Sequence, residues 1–232
     1  MNAERIDSNP RRGRGWSRWL AIAGVASMLS MVAAAIWLRG IRQEVQCRVD
    51  VLSWGGEVAV RPSGPAWLGR LLDPRYAEEV IRVLLINTNV SAEELKRLQV
   101  FDALEELVLY QSAIGDESMQ HVAKLRNLRR LNLYRTEVSE AGLVQLRELP
   151  RLEEIWIGPQ ASNRELEALA GIPTLKSINV NGAPEIDERG LEALKKLPSL
   201  QAVRISGASI SPAALDSFRR ELPDVILQVT DL

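Results

Sequence analysis

The chain has one cysteine and one histidine in 232 residues. A lone Cys47 excludes an internal disulfide and any cysteine-based zinc site within one chain. A lone His121 excludes multi-histidine metal sites and leaves little for acid–base catalysis near neutral pH. No metal-ligand cluster, phosphate-binding glycine loop or nucleophile elbow occurs in the sequence. The chain therefore reads as a non-enzyme with no cofactor and no metal. Net charge is −1, so the chain as a whole is not a polyelectrolyte seeking nucleic acid. What remains is ordinary globular composition, 46% hydrophobic and 25% charged, at a length for one or two domains.

The small net charge conceals an asymmetry. Residues 1–48 carry eight arginines against Glu4, Asp7 and Glu44, or +5, which leaves −6 for the rest. Within this basic end, Leu20 to Leu38 is a run of 19 residues without a charge. As a helix it spans roughly 28 Å, close to the hydrocarbon thickness of a bilayer. Trp19 and Trp37 stand at its two ends, where indole rings favour the headgroup boundary. Five arginines precede the run and three follow it over comparable windows, which orients the N-terminus to the cytoplasm. Residues 1–19 are then a basic cytoplasmic tail and 20–38 a transmembrane signal-anchor helix. Ala33-Ala34-Ala35 leaves cleavage as a secretory signal as the alternative. Either reading puts the main domain outside the cytoplasm, and nucleic acid is disfavoured there. Cys47 reads as an unremarkable helix residue, with intermolecular pairing as the alternative.

The rest of the chain repeats. Val80, Leu104, Leu128, Leu152, Leu175, Leu200 and Val225 recur at spacings of 24, 24, 24, 23, 25 and 25. In residues 128–151 the apolar positions are Leu128, Leu131, Leu133, Val138, Leu143, Leu146 and Leu149. Leu131 and Leu133 alternate as in a strand, whereas Leu143, Leu146 and Leu149 suit one helix face. Between them stands a helix-start residue: Ser91, Asp116, Ser139, Ser162, Asp187 or Ser211. Ser91 with Glu94 and Ser162 with Glu165 have capping-box spacing. Each unit is thus strand, turn, helix, turn. No unit can bury its own apolar face, but stacked units with parallel strands share one core.

LEELVL (104–109) and LRRLNL (128–133) resemble the leucine-rich-repeat family. The family's usual asparagine is replaced by Thr88, Ser112, Thr136 and Gln160, where hydroxyls can still bond the backbone, more weakly. The T-x-V-x-x-x-G-L stretch of 136–143 is similar to membrane-anchored bacterial repeat proteins, especially of planctomycetes. So are Gly55-Gly56 and Pro65-Ala66-Trp67-Leu68 with Leu71-Leu72. The resemblance implies an α/β, right-handed solenoid. Its parallel sheet lines the concave face and its helices the convex face, behind an N-terminal transmembrane helix. It also implies an interaction module without catalytic residues.

Ile41, Val45, Val49 and Leu52 predict an amphipathic helix that Gly55-Gly56 ends. Glu57–Arg61 alternates as a short strand, and a short helix is expected near Trp67–Leu72. Residues 39–79 then form an N-terminal cap and linker. Residues 80–232 form the solenoid of about six repeats, closed by a terminal strand near Val225–Val229. That strand's unshielded edge invites self-association.

In this repeat type the strand residues between apolar ones face the concave side. One column holds Asn132, Trp156, Asn179 and Arg204, and the next holds Tyr110 and Tyr134. These six residues are the candidate protein-binding site. Tyr110, Tyr134 and Trp156 are expected close together as anchors. Arg82, Glu106, Arg130 and Glu154 alternate in sign as cross-strand pairs. His121 reads as a surface or half-buried helix residue. The leading function is a non-catalytic, membrane-anchored module that binds a protein or peptide outside the cytoplasm. The alternative is a structural, self-associating envelope scaffold.

Overall fold

The computed structural model describes residues 13–63 and 74–230. The basic tail over 1–12 and the helix expected near Trp67–Leu72, with Pro65, lie outside the described residues. The side chains of 13–23, Trp19 among them, lie outside them too. The chain divides into two compact units, Met1–Gln43 and Glu44–Leu232. From Gly13 the described part of the first is helical, in α1, which runs Gly13–Ser53. From Gly24 onward α1 is long and apolar enough to cross a membrane by length and composition. Met28, Met31 and Ile36 are exposed on it.

In the second unit, α1 contributes its last turns. Cys47 and Val51 enter the core. Arg48 donates to the Glu78 carbonyl and pairs with Glu44 at 3.1 Å and Glu78 at 3.3 Å. Gly55 ends the helix with φ +82°. Gly56 is a close approach, since a Cβ there would meet Leu85 at 2.6 Å and the Leu84 carbonyl at 2.8 Å. The chain then forms β1 (Glu57–Pro62), antiparallel to β2 (Glu78–Leu84). Every later strand is parallel to the one before it. These are β3 (Glu106–Val108), β4 (Arg130–Leu133), β5 (Glu154–Ile157), β6 (Ser177–Asn181), β7 (Ala202–Ser206) and β8 (Ile226–Thr230). The sheet order is sequential from β1 to β8.

A short helix follows each strand from β2 to β7. They are α2 (Ala92–Arg97), α3 (Asp116–Val122), α4 (Glu140–Gln145), α5 (Asn163–Leu169), α6 (Glu188–Leu194) and α7 (Pro212–Glu221). Helices this short are marginal alone, so neighbouring units must stabilise them. Leu128, Leu131, Leu133, Leu143, Leu146 and Leu149 are all buried in one continuous cluster with their equivalents from Val80 to Leu197. At about 25 cal/mol per Å² of apolar area, such burial is the main favourable term.

The turns explain the period. Asn87, Gln111 and Arg135 have φ of 55°, 55° and 57°, and the equivalent Gly182 and Gly207 have 73°. Strands β2, β3, β4, β6 and β7 therefore each leave the sheet through one left-handed residue. The 23-residue unit is the exception. Pro159 stands where that residue would be, and proline cannot adopt positive φ. Gly158 lies so close to the preceding turn that a Cβ would come 2.7 Å from the Arg135 amide nitrogen.

The helix starts interlock. Ser91/Glu94 and Ser162/Glu165 form complete capping boxes. Asp116 does not cap its own helix as expected. Gly115 holds the cap position without a side-chain bond. The carboxylate, one residue further in, reaches sideways and accepts from the Ser139 amide at 2.8 Å and hydroxyl at 2.6 Å. A Cβ on Gly142 would sit 2.4 Å from that carboxylate, so glycine makes room for it.

Thr88, Ser112 and Thr136 are buried where asparagines were absent. Ser112 Oγ lies 3.0 Å from Thr88 Oγ1 and 3.0 Å from the Leu85 carbonyl, to which it donates. Thr136 Oγ1 donates to the Leu133 carbonyl at 2.8 Å. The row stops at Gln160, which is exposed and borders a water-sized cavity with Thr136 and Gly158.

His121 differs from expectation, whereas Cys47 agrees with it. His121 is not at the surface but 8% exposed, with a buried Nδ1 that has no hydrogen-bond partner. Helices of adjacent units pack side by side and cover residues that leave the core face. Cys47 is 3% exposed and its thiol donates to the Arg97 carbonyl at 3.4 Å. Burial pushes that thiol up to about 12, so it is not presented for intermolecular pairing.

Candidate functional site

Strand residues that do not enter the core project from the sheet face opposite the helices. Parallel pairing stacks equivalent residues about 4.8 Å apart. Register places Arg82 beside Glu106, Glu106 beside Arg130 and Arg130 beside Glu154. The Glu106 carboxylate accepts from Arg82 Nε at 2.7 Å, and from Arg130 Nε at 3.1 Å and Nη2 at 2.8 Å. A second charged row lies one residue earlier. There Arg61 pairs with Glu105 at 3.0 Å, and Glu153 pairs with Arg129 and Lys176, each at 3.2 Å. These exposed pairs each contribute little to stability, of order 0–1 kcal/mol. They fix a pattern of alternating charge across the strands.

The next column holds Asn132, Trp156, Asn179 and Arg204 in strict register. Asn132 is half-buried, and its Oδ1 accepts from the Tyr134 amide at 2.9 Å. That bond stiffens the strand end which carries the tyrosine. Asn179 is only 6% exposed. Its Nδ2 donates to Glu154 at 3.2 Å and its Oδ1 accepts from Arg204 Nη1 at 3.3 Å. Both ends of the amide are occupied, so Asn179 positions Glu154 and Arg204. Arg204 is exposed and also donates from Nε to Gln228 at 3.2 Å.

Tyr110 and Tyr134 stack, with ring centroids 5.3 Å apart and planes 22° from parallel. This is a favourable offset geometry, of order 1 kcal/mol beyond area burial. The backbone ladder runs past the strand ends to hold both rings, since Gln111 N donates to the Tyr134 carbonyl at 2.9 Å. Ile86, one unit earlier in this row, is 49% exposed. The position one unit later is Gly158, which has no side chain. The row therefore ends at Tyr134. Half-buried Trp156 stands in the adjacent column, on the strand next to the one that leads to Tyr134.

Arg135 was not a sequence candidate. Its guanidinium carbon lies 5.5 Å from the Tyr134 ring centroid, a cation–π distance. The left-handed backbone at Arg135 lifts the side chain over the ring, and nothing in the local sequence announces positive φ at an arginine. Among the described residues, no group of three His, Cys, Asp or Glu side chains converges as a metal site. The face offers stacked rings, one cation over a ring and fixed charges of both signs. Such a surface can bind.

No family model matches the chain, and comparison with curated proteins finds no relative. Among solved structures it is similar to an internalin (inlF) of Listeria monocytogenes, at 20% identity and a TM-score of 0.45. That match covers 62% of this chain and 39% of the internalin, so the chain spans about two fifths of its length. It is also similar to internalin C2 (inlC2) of the same organism, at 20% identity and a TM-score of 0.44, over 66% of this chain and 74% of the other. Overlap at this level assigns no ligand to the face described above.

Proposed function

We propose that the chain is a non-catalytic, membrane-anchored module that binds a protein or peptide. In this reading residues 20–38 cross the membrane with the N-terminus cytoplasmic. The repeats form a right-handed solenoid outside the cytoplasm, of the membrane-anchored bacterial kind, and its concave face takes the partner. The observation that carries the reading is the Tyr110–Tyr134 stack under Arg135, with Trp156 on the next strand and Arg204 further along the same face. Tyrosine, tryptophan and arginine are the residues on which binding energy concentrates. The arginine excess before the apolar run supports the orientation.

The test uses the full chain in detergent, with a photoreactive phenylalanine analogue at Tyr134, against solubilised source membranes. A partner that crosslinks there should be lost from the Tyr110→Ser/Trp156→Ser variant, by roughly ten-fold or more in affinity if these are anchors. Equal capture by both chains moves the site off this face.

The second reading is a self-associating envelope scaffold. The observation that favours it is the uncharged strand β8 at the edge of the sheet among the described residues.

A further inference from the structure

The two edges of the sheet are built differently. The β1 edge has a bulge between Ala59 and Val60, ends in Pro62 and carries Glu57 and Arg61. Bulges, prolines and charges are what prevent edge strands from pairing with other chains. β8 has none of these, since residues 225–230 read VILQVT, without charge, proline or glycine. Among the described residues the two ends of the core are also covered to different degrees. Cys47 and Val51 cover its start. Leu191, Val203 and Ile205 are buried, but their equivalents Leu215, Leu227 and Val229 are only half-buried. Ile226 is 56% exposed.

The backbone has a definite polarity at this edge. Ile226 N donates to the Gln201 carbonyl at 2.8 Å, and the Thr230 carbonyl accepts from Gly207 N at 2.9 Å. Strand residues alternate, so Ile226, Gln228 and Thr230 turn their backbone groups towards β7. Leu227 and Val229 turn theirs to the open side.

We propose that β8 pairs antiparallel with β8 of a second copy of this chain, about a twofold axis through Gln228. The proposal rests on the self-association reading and gives it a geometry. A twofold antiparallel pair must bring outward-turned residues opposite outward-turned ones, which allows an axis only at a residue and not between two. An axis at Gln228 alone matches all five residues of β8 with the copy. Leu227 then faces the partner's Val229 through paired backbone bonds, on the side of the half-buried core. Gln228 faces the partner's Gln228 on the open face, and no like charges meet at the axis. The occupant is a copy because the segment is its own complement: apolar against apolar inside, amide against amide outside. Isologous contacts of this kind close into dimers.

The test uses the full chain in detergent micelles, with Q228C, I226C and T230C made singly. Cys47, 3% exposed in the core, stays silent. At the axis the two position-228 Cα atoms are about 4.5 Å apart, within disulfide reach. Two copies of position 226 are roughly 13 Å apart. Under a mild oxidant, Q228C should lose its monomer band to a covalent dimer. I226C alone and T230C alone should remain monomers, and their mixture should give a mixed dimer. A dimeric mass in sedimentation without Q228C linkage, or with equal I226C linkage, overturns this geometry and leaves self-association standing. A monomer at high micromolar concentration overturns both.

Discussion

Asn163, the first residue of α5, clasps Asp187, the cap of the following helix. Its Nδ2 donates to Asp187 Oδ1 at 2.8 Å, while its Oδ1 accepts from the Asp187 amide at 3.1 Å and the Gly190 amide at 3.1 Å. Asp116 and Ser139 have the same relation one pair of units earlier. At Ser139 and Asp187 the fourth residue of the cap sequence is Gly142 or Gly190, whereas at Ser211, whose amide donates to the Glu188 carboxylate at 3.0 Å, it is Ala214. Where the lateral clasp is absent, at Ser91 and Ser162, that residue is the capping-box glutamate. The helix starts have two ways to satisfy their free amides, one internal and one borrowed.

The borrowed form makes Gly142 and Gly190 sensitive. A Cβ on Gly190 would stand 2.6 Å from Asn163 Oδ1. Gly142→Ala and Gly190→Ala should each cost about 1–3 kcal/mol, by crowding and loss of the clasp. Urea denaturation should show it, and Asp116→Ala should make the Gly142→Ala penalty smaller, as contacting sites are not additive.

The left-handed turns give the second prediction. Gly182→Ala and Gly207→Ala should each cost about 1–2 kcal/mol, because both positions require positive φ. Gln111→Gly should lower the unfolding free energy less, if at all, since it relieves the same strain while loosening the unfolded chain. Thermal denaturation of the three variants orders them.

His121 gives the third. Its Nδ1 is buried without a partner. His121→Leu removes that atom and should be neutral or stabilising by about 1 kcal/mol. A loss of 2 kcal/mol or more in the urea midpoint analysis would mean that the imidazole has an interaction absent from this structure.

Acid should loosen the helix starts. The Ser91 amide and hydroxyl hold Glu94 below its ordinary 4.5. Its own backbone amide, then the Ser211 hydroxyl and amide, lower Glu188. A depressed carboxylate stabilises the fold above the unfolded-state value and loses that contribution as pH falls through the lower folded value. The urea midpoint should therefore fall from about pH 4.5 downward, and Glu94→Gln should flatten part of that slope.

Cys47 provides a readout of folding and of topology. Its thiol should resist maleimide in the native chain and react on unfolding. Glu93→Cys, on an exposed helix position, should then be the labelled site in intact cells if the repeats lie outside. Protection of Glu93→Cys until the cells are lysed would reverse the proposed orientation.

Much of the fold was legible because it is written in local spacing. Leu131 and Leu133 alternate, Leu143 and Leu146 do not, and Ser91 with Glu94 signals a helix start within four residues. The last strand near Val225 could be found by counting. The less legible features involve residues about 24 apart. Asp116 looks like a cap until Ser139 is placed beside it, and Asn179 looks available until Glu154 and Arg204 take both ends of its amide. Arg135 looks like an ordinary turn residue, because its positive φ is imposed by the stack and not by its own preference. The burial of His121 depends on the packing of its neighbours. The tyrosine row and the adjacent column with Trp156 were readable from period alone, but the stacking of the two rings and the place of Arg135 over Tyr134 were not.

The short fourth unit, with Pro159 in its turn, loses one residue and yet keeps Glu154 opposite Ser177 and Ile155 opposite Ile178. The array behaves like a rail with expansion joints. A codon dropped at a turn leaves the track aligned, whereas the same loss inside a strand would turn its core side chains outward. Length variation in a gene of this design is therefore expected to accumulate at the joints, which lie beside the tyrosine row, and each such slip changes the surface offered to a partner while the scaffold survives.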